Sequence, residues 1–268
     1  MRILVANPNT SETVTALVER AVRRVGSPRT EYLFATGSFG AKVVASRSEN
    51  AIAGHSTVDL VTRHAKGCDG IILAISFDTG LHAARELSGL PTLGITEAAL
   101  LAASTLGARV GLVVLASRTK ALYRDLVGSY GLGARLCGMR ALDCEGFYDD
   151  HGGGFGADQL AAAARDLVDA DGAEVVVLAG AVLGSRSLDI EARVPVPVLD
   201  GLRCATPMIE AMVRIRAGGA STPRACVPAA GRASRGAPNG SPKLARVARS
   251  GAGNGAGNHK GNSSLDGP

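Results

Sequence analysis

Asp69-Gly70-Ile71-Ile72-Leu73-Ala74-Ile75 in the first half of the chain returns as Asp171-Gly172-Ala173-Glu174-Val175-Val176-Val177-Leu178-Ala179-Gly180 in the second. Each copy opens on Asp-Gly, and Leu73-Ala74 aligns with Leu178-Ala179. The flanks repeat too. Arg2-Ile3-Leu4-Val5-Ala6 before Asn7-Pro8-Asn9-Thr10 has a partner in Val110-Gly111-Leu112-Val113-Val114-Leu115 before Ala116-Ser117-Arg118-Thr119, and Leu90-Pro91-Thr92-Leu93 is matched by Val196-Pro197-Val198-Leu199. A unit stated twice predicts two pseudo-equivalent halves with a cleft between them. Ile75 and Gly180 then become paired positions facing one site.

The intervening sequence fits that reading. Short β-branched runs at 2–6, 30–35, 70–75, 92–95, 109–115, 136–142, 174–179 and 196–199 alternate with Ala-rich segments. Helices are expected over 11–25, 49–66, 80–88, 97–106, 118–130, 157–170, 185–192 and 203–216. Continuous rather than alternating apolar runs suit strands covered by helices on both faces. Strands and helices in strict alternation predict an α/β fold of two pseudo-symmetric, Rossmann-like parallel-sheet halves, with the active-site cleft between them. Residues 1–96 with 203–217 form the expected first half and 97–202 the second. Ligands in such sheets bind beyond the carboxyl ends of the strands.

Composition divides the chain unevenly. From Gly218 to Pro268 it turns to Gly, Ala, Ser, Pro, Arg and Asn without apolar periodicity, and this segment is expected to be a disordered basic tail. Seven Lys and Arg against Asp266 give the tail +6 of the chain's +5, leaving residues 1–217 near −1. The basic pI is thus a tail property, and without interleaved aromatics the tail does not read as a nucleic-acid site. The cysteines (68, 137, 144, 204 and 226) show no CxxC spacing, which argues against a disulfide framework or zinc. No signal peptide precedes the first strand, and no apolar run approaches a membrane span, so a cytoplasmic protein without membrane partners is expected.

Several loops can carry chemistry. Asn7, Asn9 and Thr10 precede a helix whose N-terminal N–H groups favour an anion; a turn with a cap at Thr10 or Ser11 is the plainer alternative. Ser117 and Arg118 are their counterparts in the second half. Ser76 and Asp78 follow the doubled strand, Asp78 either serving the substrate or capping helix 80–88. Across the cleft, Gly180-Ala181-Val182-Leu183-Gly184-Ser185 has no titratable group. Glu97 and Asp200 orient substrate or cap helices. His55 and His82 lack carboxylate or thiol partners at ligand spacing, so no metal is expected. Gly152-Gly153-Gly154-Phe155-Gly156 lacks the context of a dinucleotide site and reads as a loop or lid. Gly37 to Lys42 fails the phosphate-loop spacing.

With these residues in view, the chain resembles the aspartate/glutamate/hydantoin racemase superfamily, in its hydantoin and allantoin racemase branch. The resemblance covers about 1–217. It is carried by Arg2-Ile3-Leu4-Val5-Ala6-Asn7-Pro8-Asn9-Thr10, by Asp78-Thr79-Gly80-Leu81-His82-Ala83-Ala84-Arg85-Glu86, and by the stretch from Leu93 to Ser104. Arg118-Thr119, Asp125-Leu126, Tyr130-Gly131-Leu132 and Val196-Pro197-Val198-Leu199-Asp200-Gly201 extend it. It implies cofactor-independent chemistry at an acidic carbon beside a carbonyl, on a small-molecule substrate, in a homo-oligomer. It also implies two thiols on opposite faces of the substrate, one removing a proton and the other returning one. The positions it assigns to them are Ile75 and Gly180. In the loop at 40–51, where the resemblance implies a Pro, a Ser and a Glu, this chain has Ala41, Val43 and Ala45.

Ile and Gly carry no proton, so the expectation is an enzyme of this superfamily with a changed reaction: isomerisation, cyclisation or lyase-type chemistry on a small carboxylate, imide or carbonyl compound. Asn7, Asn9, Thr10, Ser117 and Arg118, with Ala181 beside them, would hold the substrate. Ser76, Asp78 or Glu97 would handle any proton, with Cys144 as a relocated thiol the further option. The alternatives are a racemase using other bases and a non-catalytic small-molecule-binding relative. Arylmalonate decarboxylases and maleate isomerases, as relatives of the superfamily, imply that the fold supports such changes.

Overall fold

The doubled apolar runs become the centres of two parallel sheets. The structure, a computed structural model, describes residues 1–143 and 155–218. The first half is built from β1 (Arg2–Asn7), α1 (Glu12–Val25), β2 (Glu31–Thr36), α2 (Arg47–His64), β3 (Gly70–Leu73), α3 (Leu81–Ser88), β4 (Thr92–Gly94) and α4 (Ile95–Leu106). The second repeats the series with β5 (Val110–Leu115), α5 (Lys120–Ser129), β6 (Leu136–Leu142), α6 (Ala157–Asp171), β7 (Val175–Ala179), α7 (Ser187–Ile190), β8 (Val198–Asp200) and α8 (Gly201–Ala217). The strand orders are β2-β1-β3-β4 and β6-β5-β7-β8, all parallel, so each strand of one sheet has its counterpart in the other. The α/β class and the two halves are as the repeat predicts.

β1, β3, β5 and β7 are buried almost throughout because helices cover both faces, which is why their sequences read as unbroken apolar runs. The larger core runs through both sheets, and a second lies where α6 covers β5 and β6. α4 and α8 pack on each other, and each also touches strands of both sheets. That exchange joins the halves into one compact unit.

Several helices start about two residues from their expected positions, and two departures have a clear physical cause. The helix expected over 185–192 is a single α turn flanked by 3-10 turns. Ser185 sits at φ +61°, outside the right-handed helical region, and Ile190 leaves helical geometry at φ −124°. α4 begins two residues earlier than the expected 97, because its cap comes from elsewhere in the chain. Asp78 Oδ1 accepts from the Thr96 N–H at 3.0 Å and Oδ2 from the Glu97 N–H at 2.7 Å. This corrects the capping assignment: Asp78 caps α4, whereas α3 starts on Gly80 with no side-chain cap.

Gly94 makes that long-range cap possible. A Cβ on Gly94 would stand 2.1 Å from Asp78 Cγ and 2.3 Å from its Oδ1. Gly94→Ala is therefore expected to lower unfolding free energy by about 2–3 kcal/mol or more, read from denaturant midpoints, through overpacking and loss of the cap. An alanine variant as stable as wild type would show that Asp78 can withdraw without cost.

Candidate functional site

The loops leaving the carboxyl ends of β1, β3, β5 and β7 converge on one cavity, with about 70 Å³ open to the centre of a water molecule. Its floor is apolar, built from Ile75, Leu115, Ala181 and Val182, with Val43 and Val44 from the loop after β2. Asn9, Ser11 and Thr13 at the start of α1, Ser76 after β3 and Tyr123 on α5 supply the polar wall. Gly180, at the end of β7, adjoins this floor: a Cβ there would lie 3.3 Å from Leu115 Cδ1 and 3.9 Å from Ser76 Oγ. The ends of β3 and β7 thus face each other, as the repeat predicts.

Asn7 and Asn9 form a rigid corner. The Asn7 side-chain NH2 donates to Asn9 Oδ1 (2.9 Å), Thr15 Oγ1 (3.0 Å) and the Ser11 carbonyl (3.2 Å), while its Oδ1 accepts from the Asn9 N–H. Asn7 is buried and does not line the cavity. Asn9 Oδ1 also accepts from the Ser11 N–H at 2.9 Å. With its oxygen fixed by two donors, the Asn9 amide NH2 is left without a partner among the described residues, on a side chain 8% exposed that lines the cavity. Ser11, of the two cap candidates, caps α1.

Tyr123 is buried, lines the cavity with Ser76 and packs against Phe77 with ring centroids 4.9 Å apart. Burial pushes its phenol well above the ordinary range; the Ser76 hydroxyl offsets this in part and the Asp78 charge adds to it. Tyr123 keeps its proton at neutral pH and works as a hydrogen-bond donor. Behind this wall, Asp78 accepts a third bond, from Tyr130 Oη at 2.7 Å. Burial pushes its carboxyl up to about 7; the bonds from Tyr130, Thr96 and Glu97 pull the other way, and the Glu97 charge raises it.

A family model described as Asp/Glu/Hydantoin racemase matches residues 3–209. The chain belongs to this family. The hydantoin racemase of Paenarthrobacter aurescens is 31% identical over 221 residues, covering 80% of this chain and 92% of that protein. The allantoin racemase structure from Klebsiella pneumoniae has a TM-score of 0.76 at 29% identity, covering 81% of this chain and 89% of the other. That from Pseudomonas fluorescens has a TM-score of 0.75 at 31% identity, covering 81% and 92%. The hydantoin and allantoin racemase branch is therefore the right one, and membership places the chain among isomerase-like enzymes.

Within this racemase-family site, the residues singled out in the sequence separate into two sets. Asn9, Ser76, Ile75 and Ala181 line the cavity, and Gly180 adjoins it. Asn7, Thr10, Asp78, Glu97, Ser117 and Arg118 do not line it. The Thr10 N–H donates to the Ala41 carbonyl, tying down the loop after β2. Glu97 pairs with Arg85 at 2.5 Å. Ser117 gives its N–H (2.7 Å) and hydroxyl (2.5 Å) to Asp143, whose carboxyl those bonds hold below the usual range. Arg118 faces Glu49, a carboxylate also lowered, chiefly by the Ala45 N–H. Asp200 caps α8 and takes the Ser187 hydroxyl.

Cys144, Gly152–Gly154 and the tail from residue 219 lie outside the described residues. Cys68 and Cys204 are buried with thiols raised by burial, and neither lines the cavity. No cluster of three or more His, Cys, Asp or Glu able to hold a metal occurs among the described residues. No helix there is long and apolar enough to cross a membrane. Tyr123 and Lys42 are the cavity residues that sequence reasoning missed. A tyrosine on the helix after β5 carries no motif, and only the fold brings it to Ser76.

Proposed function

We propose that this protein is a cofactor-independent enzyme of the racemase superfamily whose reaction does not use a thiol pair. It acts on a small carboxylate, imide or carbonyl substrate by isomerisation, cyclisation or lyase-type chemistry. One observation carries the reading: among the described residues, the cavity between the ends of β3 and β7 is lined by no thiol, carboxylate or imidazole. Its ionisable lining groups are Tyr123 and Lys42, and Tyr123 keeps its proton.

A site with donors but no base favours steps in which no carbon acid must be deprotonated. Lyase chemistry asks least of it. When the bond from Cα to a carboxyl group breaks, CO2 leaves and the electron pair passes into the neighbouring carbonyl as an enolate. The Ser76 and Tyr123 hydroxyls and the Asn9 NH2 donate to the enolate oxygen, and Cα takes its proton from water. One preorganised donor of this kind is worth about 3–4 kcal/mol in the best cases. The dry floor around Ile75 and Leu115 favours loss of the charged carboxylate.

Gly180 supports the same reading. Its φ of +143° lies in a region that L side chains rarely adopt. A cysteine at that position would meet both this backbone and Leu115.

The test is incubation with phenylmalonate, maleate and 5-benzylhydantoin, followed by proton NMR of the mixtures. A new decarboxylated, isomerised or ring-altered product is expected from at least one. A compound that raises the melting temperature while none of the three is turned over would point instead to a binding protein.

A further inference from the structure

We propose that Lys42 selects the ligand of this cavity: a small monocarboxylate with an apolar body, its carboxylate held at the mouth between the Lys42 ammonium and the Asn9 amide. The proposal deepens the functional reading above and rests on the same cavity. Lys42 is exposed and carries the one formal charge among the described residues that line it. It has no ion-pair or hydrogen-bond partner among them, unlike the nearby arginines. Arg47 is paired with Asp125, Arg85 with Glu97, and Arg118 faces Glu49.

The position of Lys42 is set by its loop. The Thr10 N–H donates to the Ala41 carbonyl at 3.2 Å, and the Ala45 N–H donates to Glu49 Oε2 at 2.8 Å. The first bond lashes the loop to the Asn9–Ser11 corner, beside the unpartnered Asn9 NH2. That NH2 belongs to a side chain more than nine-tenths buried, so water meets it only through the cavity. A donor on the wall of a cavity is satisfied only by a ligand or water that enters it. An anion suits a donor and a cation together, and the N-terminus of α1 behind them adds its positive end. Beyond the mouth, Val43, Val44, Ile75, Leu115 and Val182 offer only apolar surface. An aryl or branched alkyl group fills that floor, whereas a second carboxylate set against it is destabilised, which favours its loss as CO2 and leaves a monocarboxylate as the ligand that is retained.

Calorimetric titration with phenylacetate and its neutral isostere phenylacetamide tests this, at low and high salt, on wild type, Lys42→Met and Lys42→Arg. Wild type is expected to prefer phenylacetate, with a preference that shrinks as salt screens the exposed ammonium. Lys42→Met should weaken phenylacetate about three- to tenfold and remove the salt dependence, while phenylacetamide binds as before and so reports an intact cavity. Lys42→Arg should keep the preference. Equal affinities for the two compounds in wild type, no binding of either, or an undiminished preference in Lys42→Met would each overturn the proposal. Binding is read without turnover. Product formation alongside an unchanged Lys42→Met preference would sink this proposal alone; an anion preference that vanishes in Lys42→Met without any turnover would sink only the proposed reaction.

Discussion

Ser76→Ala is expected to reduce turnover about 100-fold or more, the loss typical of removing a preorganised oxyanion donor. Ser76 lines the cavity beside the apolar floor on the same polar wall as Tyr123, so its removal takes a donor from that wall. Tyr123→Phe should cost a similar factor, because the ring still packs against Phe77 and only the hydroxyl is lost. The double variant should be little worse than either single one, as expected of groups that act as a unit. Melting temperatures recorded alongside separate chemistry from folding. Asn7→Ala is the contrasting control. Asn7 is locked behind Asn9 by four hydrogen bonds, so its loss should appear as lost stability as well as lost activity. Full activity in both Ser76→Ala and Tyr123→Phe would remove the polar wall from the mechanism.

The second large effect concerns pH. Asp78 has a folded pKa raised from 3.8 to about 7, chiefly by burial. Between those values the native state binds a proton that the unfolded chain does not, so unfolding free energy falls as pH rises through this window. The contribution is fully present below about pH 4 and lost as pH passes about 7. At about 1.4 kcal/mol per pH unit, the decline between about pH 5 and pH 7 is on the order of 2–3 kcal/mol. Asp78→Asn stays neutral throughout and should lack this slope, even though it gives up an acceptor at the cap. Denaturant unfolding of both proteins at pH 5 and pH 8 should therefore show the stability difference, wild type minus variant, moving against wild type at the higher pH. A constant difference would mean that Asp78 ionises normally in the folded protein. The residue also sits at φ +47°, a left-handed conformation unusual for a non-glycine, held by the three bonds it accepts.

The architecture was legible because it is written twice. Unbroken apolar runs at β3 and β7, each opened by Asp-Gly, mark strands covered on both faces, and the same flanking order fixes the same strand order in both sheets. Ile75 and Gly180 could be paired from the repeat alone, and the structure places one on the cavity floor and the other beside it. The corner from Asn7 to Ser11 was legible as a helix start, but not as two asparagines with different tasks: Asn7 faces inward to Thr15, and Asn9 faces the cavity.

What escaped the sequence depends on partners brought together only by folding. The acceptors of the α4 N–H groups come from Asp78, on the loop before a different helix, so local capping rules assign that side chain to the nearer helix. Ser117 resembles its counterpart before α1, yet Asp143 at the end of β6 occupies its donors. Lys42 belongs to no motif. Its meaning comes from the neutral walls around it and from the bond that holds its loop against Thr10.

Solvent-exchange coupled to inversion tests the central claim most directly. One enantiomer of 5-benzylhydantoin in D2O, followed by proton NMR and chiral chromatography against a no-protein control, reports whether two faces of a substrate carbon are served by a proton acceptor and a donor. A site without the thiol pair is expected to give neither deuterium uptake nor inversion above the control. Enzyme-dependent deuterium uptake with inversion would contradict the account and restore a two-base racemase.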